Sequence, residues 1–282
     1  MRPGAAAVPH NGPMSVRPSA RCILFTAGAA AILALTVVSA QGTHPVSGRR
    51  IAGVMGHEGA PWLDRPERER EEEPGKAITA LNIRAGQVIA DVGAGTGYYT
   101  VRLADAVGAR GRVYATDIQP EMLALVRKTL DATSLTRDAK SLNNVELVLG
   151  TETDARLPAG TIDMALMVDV YHELAQPQAF LRSLKRALRP DGRLVLIEFR
   201  KEDASVPIRE EHKMSVREAR MELEAEGFRF DRVIDVLPWQ HILIFRPALA
   251  ERPARLPAQY VPLLGWGRSA DFPPADGSHG SG

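Results

Sequence analysis

The sequence predicts an α/β domain built on a doubly wound, seven-stranded, mostly parallel sheet whose last strand runs antiparallel. Two observations lead to this prediction. Short apolar runs alternate with helix-like segments over most of the chain, which is the pattern of parallel strands joined by right-handed helical crossovers. The final two apolar runs are separated only by Leu237-Pro238-Trp239, a connection too short for a helix, so the last strand must enter antiparallel to its neighbour.

Each predicted strand is a short, mostly apolar run bounded by turn-forming or charged residues. The first, Val88–Val92, leads directly into a glycine-rich turn, and the last two are the pair joined by the short connection at 237–239. The predicted strands lie near 88–92, 112–117, 145–149, 162–168, 193–199, 229–236 and 240–246.

The predicted helices fall between the strands and carry recognisable start and stop signals. Tyr98–Val107 follows the glycine-rich turn, and Pro120 stands where a first helical turn tolerates proline. Ser215 and Glu218 have the spacing of a capping box, and Gly227 closes the helix that they begin. The predicted helices lie near 76–82, 98–107, 120–133, 176–188 and 215–226.

Composition and charge are those of an ordinary globular protein. The 282 residues are 45% hydrophobic and 24% charged, a balance that can bury a large core. The net charge is +1, and the first 40 residues contain three arginines and no acid, so the remainder is slightly acidic. This distribution argues against a nucleic-acid surface as the main partner.

The first 40 residues have the pattern of a secretory signal peptide. Arg17 and Arg21 precede an uncharged apolar run, 22–38, which is followed by the small residues Ser39 and Ala40. We predict cleavage after Ala40 and export of the rest of the chain. The alternative is an uncleaved membrane anchor with 22–38 as the tether, because this run is near the lower length limit for crossing a bilayer.

The rest of the chain divides into three parts by composition. Residues 41–60 contain glycine and histidine and are predicted to be a linker. Residues 61–250 include all the predicted strands and helices and form the predicted domain. Residues 251–282 are rich in proline and glycine, and we predict a largely disordered tail.

The most informative segment is the turn that follows the first strand, where Gly93, Gly95 and Gly97 alternate with other residues. Glycine lets the backbone turn sharply and approach a ligand closely, because no Cβ stands in the way. Asp91 lies two residues before the first glycine. In open α/β sheets, nucleotide-like ligands bind where such a turn joins a strand to a helix. Taken alone, the turn could also be only a tight strand-to-helix connection.

Position 98 decides between two kinds of cofactor. The dinucleotide fingerprint G-x-G-x-x-G requires glycine where this chain has Tyr98, so a pyrophosphate is poorly accommodated. The segment 91–97 instead resembles the first motif of the class I S-adenosylmethionine-dependent methyltransferases, in their small-molecule, type 11 and type 12, branch. The resemblance covers about 76–246. It implies S-adenosylmethionine as the cofactor, with contacts from Asp91, Gly93, Ala94, Gly95, Thr96 and Gly97.

Two further acids are candidate cofactor contacts. Asp117 ends the second strand, 24 residues after Gly93, where a carboxylate can accept hydrogen bonds from ribose hydroxyls, and Ile118 follows it. The segment around Asp154 resembles the family segment in which an acid accepts from the adenine amino group, with Thr153 as the alternative. Asp154 could equally be a turn-forming residue in a loop.

The acceptor is expected just after the fourth strand, in the segment Met167–Leu174. A similar segment lines the methyl-transfer pocket in small-molecule members of the family. His172 is the candidate general base, Asp169 or Glu173 could orient it, and Tyr171 is a further candidate catalytic residue. Asp169 is also a candidate cofactor contact. A histidine at this position can alternatively be a helix-capping or packing residue, and no metal site is predicted.

Two other segments could cover the site. One is the long loop after the fifth strand, whose length inside a compact domain suggests a function. The other is the highly charged stretch 61–74, predicted to be a single solvated helix that could act as a lid. Each could instead be an exposed, ion-paired surface. The candidate residues are Glu198, Arg200 and His212 in the loop, and Arg65 and Arg68 in the helix.

We therefore predict a methyltransferase that moves a methyl group from S-adenosylmethionine to a small-molecule acceptor. The alternatives are a non-catalytic S-adenosylmethionine-binding domain and a nicotinamide-dependent oxidoreductase, which Tyr98 disfavours. Export conflicts with the cytosolic origin of S-adenosylmethionine. Either the exported enzyme obtains its cofactor by another route, or an anchored domain faces inward. The positive charges of Arg49 and Arg50 after the apolar run give some support to the inward orientation, because positive residues favour the cytosolic side.

Overall fold

A computed structural model of the chain describes residues 42–136 and 142–248. The predicted signal peptide or anchor, 1–40, and the predicted tail, 251–282, lie outside these residues. Among the helices of the described ranges, none combines the length and the hydropathy needed to cross a membrane.

The described residues contain one eight-stranded sheet with the order β3-β2-β1-β4-β5-β8-β7, and β6 pairs with β5 outside this path. The neighbours from β3 to β5 are parallel, whereas β8 runs antiparallel to both β5 and β7. The predicted fold class is therefore confirmed. The strands are β1 (Val88–Val92), β2 (Arg112–Asp117), β3 (Val145–Leu149), β4 (Ile162–Val168), β5 (Leu188–Arg200), β6 (Lys213–Met214), β7 (Phe228–Ile234) and β8 (Gln240–Pro247).

The helices of the described residues agree with the predicted ones except near the beginning. Instead of one charged helix over 61–74, two single turns form on either side of Pro66. The reason is steric, because a residue that precedes proline is disfavoured in the helical conformation. The helices are α1 (Ala60–Leu63), α2 (Arg68–Glu71), α3 (Pro74–Leu81), α4 (Tyr98–Val107), α5 (Pro120–Thr136), α6 (Pro177–Ala187) and α7 (Val216–Ala225).

Helices cover both faces of the sheet, and each face has its own apolar core. Along β4, Met164 and Leu166 belong to one core, while Ala165 and Met167 belong to the other. Strands buried on both faces become nearly continuous apolar runs, which is why this strand was recognisable in the sequence. The capping box predicted at α7 is present, because the Ser215 hydroxyl accepts from the Glu218 amide and the Glu218 carboxylate accepts in return.

The segment expected to be a linker packs against the domain from Thr43 onward. A β-bridge joins Thr43 to Arg50, and Ile51 and Ala52 are buried. Arg49 is also buried, and it pairs with Glu222 of α7. The local composition of 41–60 does not predict this packing, because the partner of Arg49 lies far along the chain.

The sheet topology defines where a ligand can bind. The chain passes from β1 to β2 and β3 on one side of β1 and then crosses to β4 on the other side, so the strand order reverses at β1. In open α/β sheets, this reversal opens a crevice at the carboxyl ends of the strands. The glycine turn after β1 and the segment after β4 both lie at that end.

Candidate active site

A cavity of about 560 Å³ opens at the carboxyl ends of β1, β2, β4 and β5. Its size lies within the range of small-molecule sites. The candidate cofactor and catalytic residues that line it are Gly93, Gly95, Asp117, Ile118, Asp169, His172 and Glu173.

The glycine turn forms one wall of the cavity. Gly93, Gly95 and Gly97 have φ angles of 71°, 56° and 87°, a region that side chains other than glycine rarely adopt. A Cβ atom on Gly93 would lie 2.5 Å from Cγ2 of Val170, and one on Gly95 would lie 2.9 Å from Cδ1 of Leu63. The turn therefore needs glycine both for its backbone angles and for the space around it.

Asp117, at the end of β2, is held beside this turn by two backbone amides. Oδ2 accepts from the amide of Gly95 at 3.0 Å, and Oδ1 accepts from the amide of Gln119 at 2.9 Å. Each oxygen keeps a further lone pair for a ligand hydroxyl. Burial raises the pKa of Asp117. A buried carboxylate with free acceptor capacity at the cavity wall suits a polyhydroxyl ligand.

Asp91 does not line the main cavity. It is buried, and Oδ2 accepts from the Thr100 hydroxyl at 2.6 Å, which links the end of β1 to α4. Burial raises its pKa to about 6. Asp91 instead lines a small second cavity together with Ala94 and Thr96, next to Gly95, which belongs to both. Asp91 therefore connects β1 to α4 through Thr100 and lies beside the glycine turn.

Two predicted cofactor contacts lie outside both cavities. Gly97 donates its amide to the carbonyl of Ala94 and shapes the turn. Asp154 accepts from the amide of Arg156 at 2.7 Å and pairs with Arg186 on the surface, so it is the turn-forming residue of the second interpretation. The positions of this loop that line the main cavity are Gly150, Thr151 and Glu152.

His172 also lines the cavity and lies in a short 3₁₀ turn after β4. Its Nδ1 is 2.6 Å from Oε2 of the buried Glu198, and its Nε2 is 3.1 Å from Nδ1 of His212. Burial lowers the pKa of His172, but the charge of Glu198 and the hydrogen bond to it outweigh burial, so the pKa is raised. His172, Glu198 and His212 thus form a chain from the buried sheet to the cavity.

Asp169 connects this chain to the antiparallel strand. It has a φ of 54°, and Oδ2 accepts from Nε2 of Gln240 in β8 at 2.8 Å. Oδ1 is inaccessible and has no hydrogen-bond partner among the described residues. Burial and the nearby carboxylates Glu72 and Glu198 raise the pKa of Asp169 well above its usual value.

Tyr171, the third candidate catalytic residue, does not line the cavity. Its side chain is fully buried, and the Arg49 guanidinium lies 5.7 Å from the centre of its ring. Its backbone amide donates to Oε1 of Glu198 at 2.9 Å. The structure therefore gives Tyr171 a role in holding Glu198, with its hydroxyl directed away from the cavity walls.

Comparisons with known proteins agree with this geometry. Residues 90–196 match the family model described as "Methyltransferase domain". A solved S-adenosylmethionine-dependent methyltransferase from Aquifex aeolicus is 30% identical with a TM-score of 0.62, and the match covers 68% of this chain and 98% of that chain. The chain belongs to the S-adenosylmethionine-dependent methyltransferase family. The predicted cofactor, S-adenosylmethionine, is the cofactor of this family.

Two further matches place this methyltransferase among its relatives. The ubiquinone/menaquinone biosynthesis C-methyltransferase UbiE of Escherichia fergusonii is 32% identical over 124 residues, which are 44% of this chain and 47% of that protein. The chain thus spans about half the length of the curated relatives it matches. The O-methyltransferase NcsB1 from neocarzinostatin biosynthesis, solved with S-adenosylmethionine and a naphthoic acid, shares the fold at 18% identity and a TM-score of 0.55, covering 67% of this chain and 56% of that chain.

The methyltransferase cavity also has walls that the sequence did not indicate. Val54 and Met55 come from the segment expected to be a linker, and the amide nitrogen of Met55 lies 3.3 Å from Oε2 of Glu173. Gln119 donates from Nε2 to the carbonyl of Met55 at 2.8 Å and so holds the segment over the cavity. Such contacts join irregular stretches, which carry no periodic signal.

The two segments predicted to cover the methyltransferase site contribute unequally. Arg65, Arg68 and His212 line the cavity, whereas Glu198 supports His172 from behind. Arg200 does not line it, because its guanidinium donates to the carbonyls of Leu237 and Gln240 and ties the end of β5 to β8 and to the connection before β8. Both Glu198 and Arg200 belong to β5 and not to the loop, because β5 extends to Arg200.

Proposed function

We propose that this protein transfers a methyl group from S-adenosylmethionine to a largely apolar small molecule that binds in the same cavity. The observation that supports this most strongly is that one cavity is lined by two chemically different groups of residues. The glycine turn and Asp117 form one group, called here the cofactor end, and His172, Glu173 and His212 form the other, called here the acceptor end. A domain that only bound the cofactor would need only the first.

The residues at the first end suit the cofactor. S-adenosylmethionine supplies an electrophilic methyl group on a sulfonium. Gly93 and Gly95 give the turn a left-handed backbone packed against Val170 and Leu63, with no Cβ to keep a ligand away from the backbone amides. Asp117 retains the lone pairs needed to accept from the ribose hydroxyls.

The other walls of the cavity suit an apolar acceptor. They include large side chains from the segment before α1, from α1 itself, from α6 and from the loop after β5. Apolar walls with a few polar groups are the usual form of a site that orients a small organic ligand. The main apolar lining residues are Met55, Trp62, Leu63, Leu174, Phe180, Phe199 and Ile208.

The acceptor end can position a polar group of the substrate. Glu198 faces Nδ1 of His172, which favours the tautomer that leaves Nε2 free to face His212 and the cavity. Alignment of an acceptor with the methyl group accounts for much of the rate of a displacement reaction. The role of His172 as a general base stays a prediction.

The curated relatives suggest one class of acceptor. Their name describes C-methylation in ubiquinone and menaquinone biosynthesis. An apolar ring that bears an ionisable hydroxyl fits the lining of this cavity, so we propose phenols and enols as the first acceptors to test.

The test follows an isotopically labelled methyl group. The purified full-length protein is incubated with labelled S-adenosylmethionine and either a panel of phenols and enols or cell extract, and products are identified by mass spectrometry. We expect a labelled small molecule with the wild type and none with Gly93→Val, whose side chain would collide with Val170 and distort the turn. Cofactor binding without turnover on the panel or the extract would favour the non-catalytic alternative, and absence of binding would contradict both.

We also propose that segment 1–40 directs the domain out of the cytosol or anchors it to the membrane. The basic residues Arg17 and Arg21 before the apolar run 22–38 support this proposal. Fractionation of cells that produce the full chain, with mass determination of the mature N-terminus, tests it. An intact N-terminus in the soluble cytosolic fraction would contradict it.

A further inference from the structure

Three potential ligand atoms converge at the acceptor end of the cavity. Nε2 of His172 lies 3.1 Å from Nδ1 of His212, and Oε1 of Glu173 lies 3.8 Å and 4.0 Å from these two nitrogens. Three atoms with these separations share a common point about 2.1 Å from each, which is the bond length of Zn²⁺ to imidazole nitrogen and carboxylate oxygen. All three residues line the cavity.

We propose that His172, Glu173 and His212, together the His-Glu-His cluster, bind a divalent transition-metal ion at the acceptor end of the cavity. This inference rests on the proposed function and extends it, because it assigns a chemical means of preparing the acceptor.

The residues behind the cluster have the arrangement of an outer shell around a metal site. Nδ1 of His172 is 2.6 Å from Oε2 of Glu198, and the other oxygen of Glu198 accepts from the amide of Tyr171. A histidine that ligates a metal usually donates its second N–H to a carboxylate, which fixes the ring and the tautomer. Here that contact is already formed and buried, and it leaves the lone pair of Nε2 directed at the cluster.

The charge around the cluster also favours a cation. Three carboxylates lie close enough to influence one another or His172 electrostatically, namely those of Glu173, Glu198 and Asp169. Asp169 has a carboxyl oxygen without a hydrogen-bond partner among the described residues. The positive side chain with the largest effect on Asp169 is Arg68, which also pairs with Glu72. A divalent ion would balance the remaining negative charge.

The kind of ligand atom limits the kind of metal. Two imidazole nitrogens and one carboxylate oxygen suit Zn²⁺, Fe²⁺ and Co²⁺, whereas Mg²⁺ and Ca²⁺ prefer oxygen ligands only. Three protein ligands leave further positions of the ion open for an acceptor, as in catalytic rather than structural sites.

The open positions imply a role in methyl transfer. An acceptor hydroxyl bound there would lose its proton to water more readily, because a cation stabilises the resulting oxyanion. The acceptor then forms the new bond to the methyl carbon while the bond between that carbon and sulfur breaks, which releases S-adenosylhomocysteine. In this arrangement Nε2 of His172 is a ligand and does not itself accept the proton.

The proposal is tested by metal binding without turnover. The full-length protein, without a histidine tag and stripped with a chelator, is titrated with Co²⁺ while visible absorption is recorded, and with Zn²⁺ by calorimetry. We expect one equivalent bound by the wild type and by His57→Ala, which alters an exposed histidine outside the cluster. The affinity for Co²⁺ and Zn²⁺ should fall at least tenfold in Glu173→Gln and His212→Ala. These two residues are chosen because their side chains are less central to the core than that of His172. In Glu198→Gln the affinity should fall about 10–100-fold.

Two results would overturn the proposal. One is equal Co²⁺ affinity in the wild type, Glu173→Gln and His212→Ala, with circular dichroism showing that all three are folded. The other is full methyl transfer by chelator-treated protein. In both cases the proposed function would stand, because S-adenosylhomocysteine binding and labelled-methyl transfer are measured separately. Loss of cofactor binding in the wild type would instead contradict the proposed function.

Discussion

The guanidinium of Arg49 donates to both carboxylate oxygens of Glu222, at 3.0 Å from Nε and 3.1 Å from Nη2, and both side chains are buried. A third donor, Nη1, reaches the carbonyl of His172 at 3.0 Å. One side chain from the N-terminal segment therefore holds both α7 and the turn that carries the acceptor end of the site.

We predict that Arg49→Ala lowers the free energy of unfolding by about 3–5 kcal/mol, because it removes the guanidinium paired with the buried Glu222 carboxylate and leaves that carboxylate with the Ser47 hydroxyl and His44 as its polar partners. The double substitution Arg49→Met with Glu222→Leu should recover much of this loss. Urea unfolding measures both changes. The control is Arg220→Ala, which removes an exposed ion pair with Glu224 on the same helix and should change stability by less than about 1 kcal/mol. Equal effects at both positions would contradict the role given to Arg49.

The glycine turn predicts a contrast between two substitutions with similar backbone strain. Gly93→Ala places a Cβ 2.5 Å from Val170, whereas Gly86→Ala, at a φ of 89°, meets nothing within 4 Å. Both should lose about 1–2 kcal/mol of stability from the positive φ. Only Gly93→Ala should also weaken S-adenosylhomocysteine binding, by at least tenfold in calorimetry. Unchanged affinity in Gly93→Ala would show that the cofactor does not approach this turn.

The positions of Asp117 and Asp154 predict unequal effects on cofactor binding. Asp117 lines the cavity, while Asp154 faces Arg186 on the surface. Asp117→Ala should weaken S-adenosylhomocysteine binding at least tenfold, which corresponds to about 1.4 kcal/mol. Asp154→Ala should change it less than about twofold. If calorimetry found the larger loss in Asp154→Ala, the loop after β3 would have to bind the cofactor differently from its arrangement in the structure.

Asp91 predicts a specific dependence of stability on pH. Burial raises its pKa from 3.8 to about 6 in the folded protein, so the folded state holds this proton more tightly than the unfolded state. The stabilisation is fully present below the unfolded pKa and is lost as pH rises through about 6, by up to about 3 kcal/mol. Asp91→Asn keeps an acceptor for Thr100 and cannot ionise. Its stability relative to the wild type should therefore increase between pH 4 and pH 7 in urea unfolding, and a constant difference would contradict this account.

Local sequence patterns were enough to predict the sheet and to bring the glycine turn and Asp117 together at one cavity. The buried strands are continuous apolar runs, and the short connection at Leu237-Pro238-Trp239 correctly indicated that β8 is antiparallel. Gly93, Gly95 and Asp117 were also identified, because their contacts depend on the strand-to-turn pattern and on two neighbouring strands. Strand β6, with two residues, is too short to produce a periodic signal.

The acceptor end could be predicted only in part, because its contacts join distant or irregular segments. His172 was identified as a polar residue after a strand, but its pairing with Glu198 and His212 depends on the way β4, β5 and the long loop meet in space. The contribution of Met55 was missed, because residues 41–60 have the composition of a linker. Tyr171 was predicted to be in the site because its sequence neighbours are site candidates. Its side chain is instead buried outside the cavity, because adjacent residues in a turn point their side chains in different directions.

The range of the Arg49 contacts has a consequence for biosynthesis. The partner carboxylate on α7 is 173 residues further along the chain, while the carbonyl that Arg49 also holds is 123 residues away. At ordinary translation speeds of about 5–20 residues per second, roughly 10–35 s pass between the synthesis of Arg49 and the synthesis of α7. During that interval the cofactor turn, closed by a contact spanning 22 residues, can already form. A nascent chain should thus acquire its methyl-donor half first, and premature termination before α7 should yield a product that lacks a finished acceptor half.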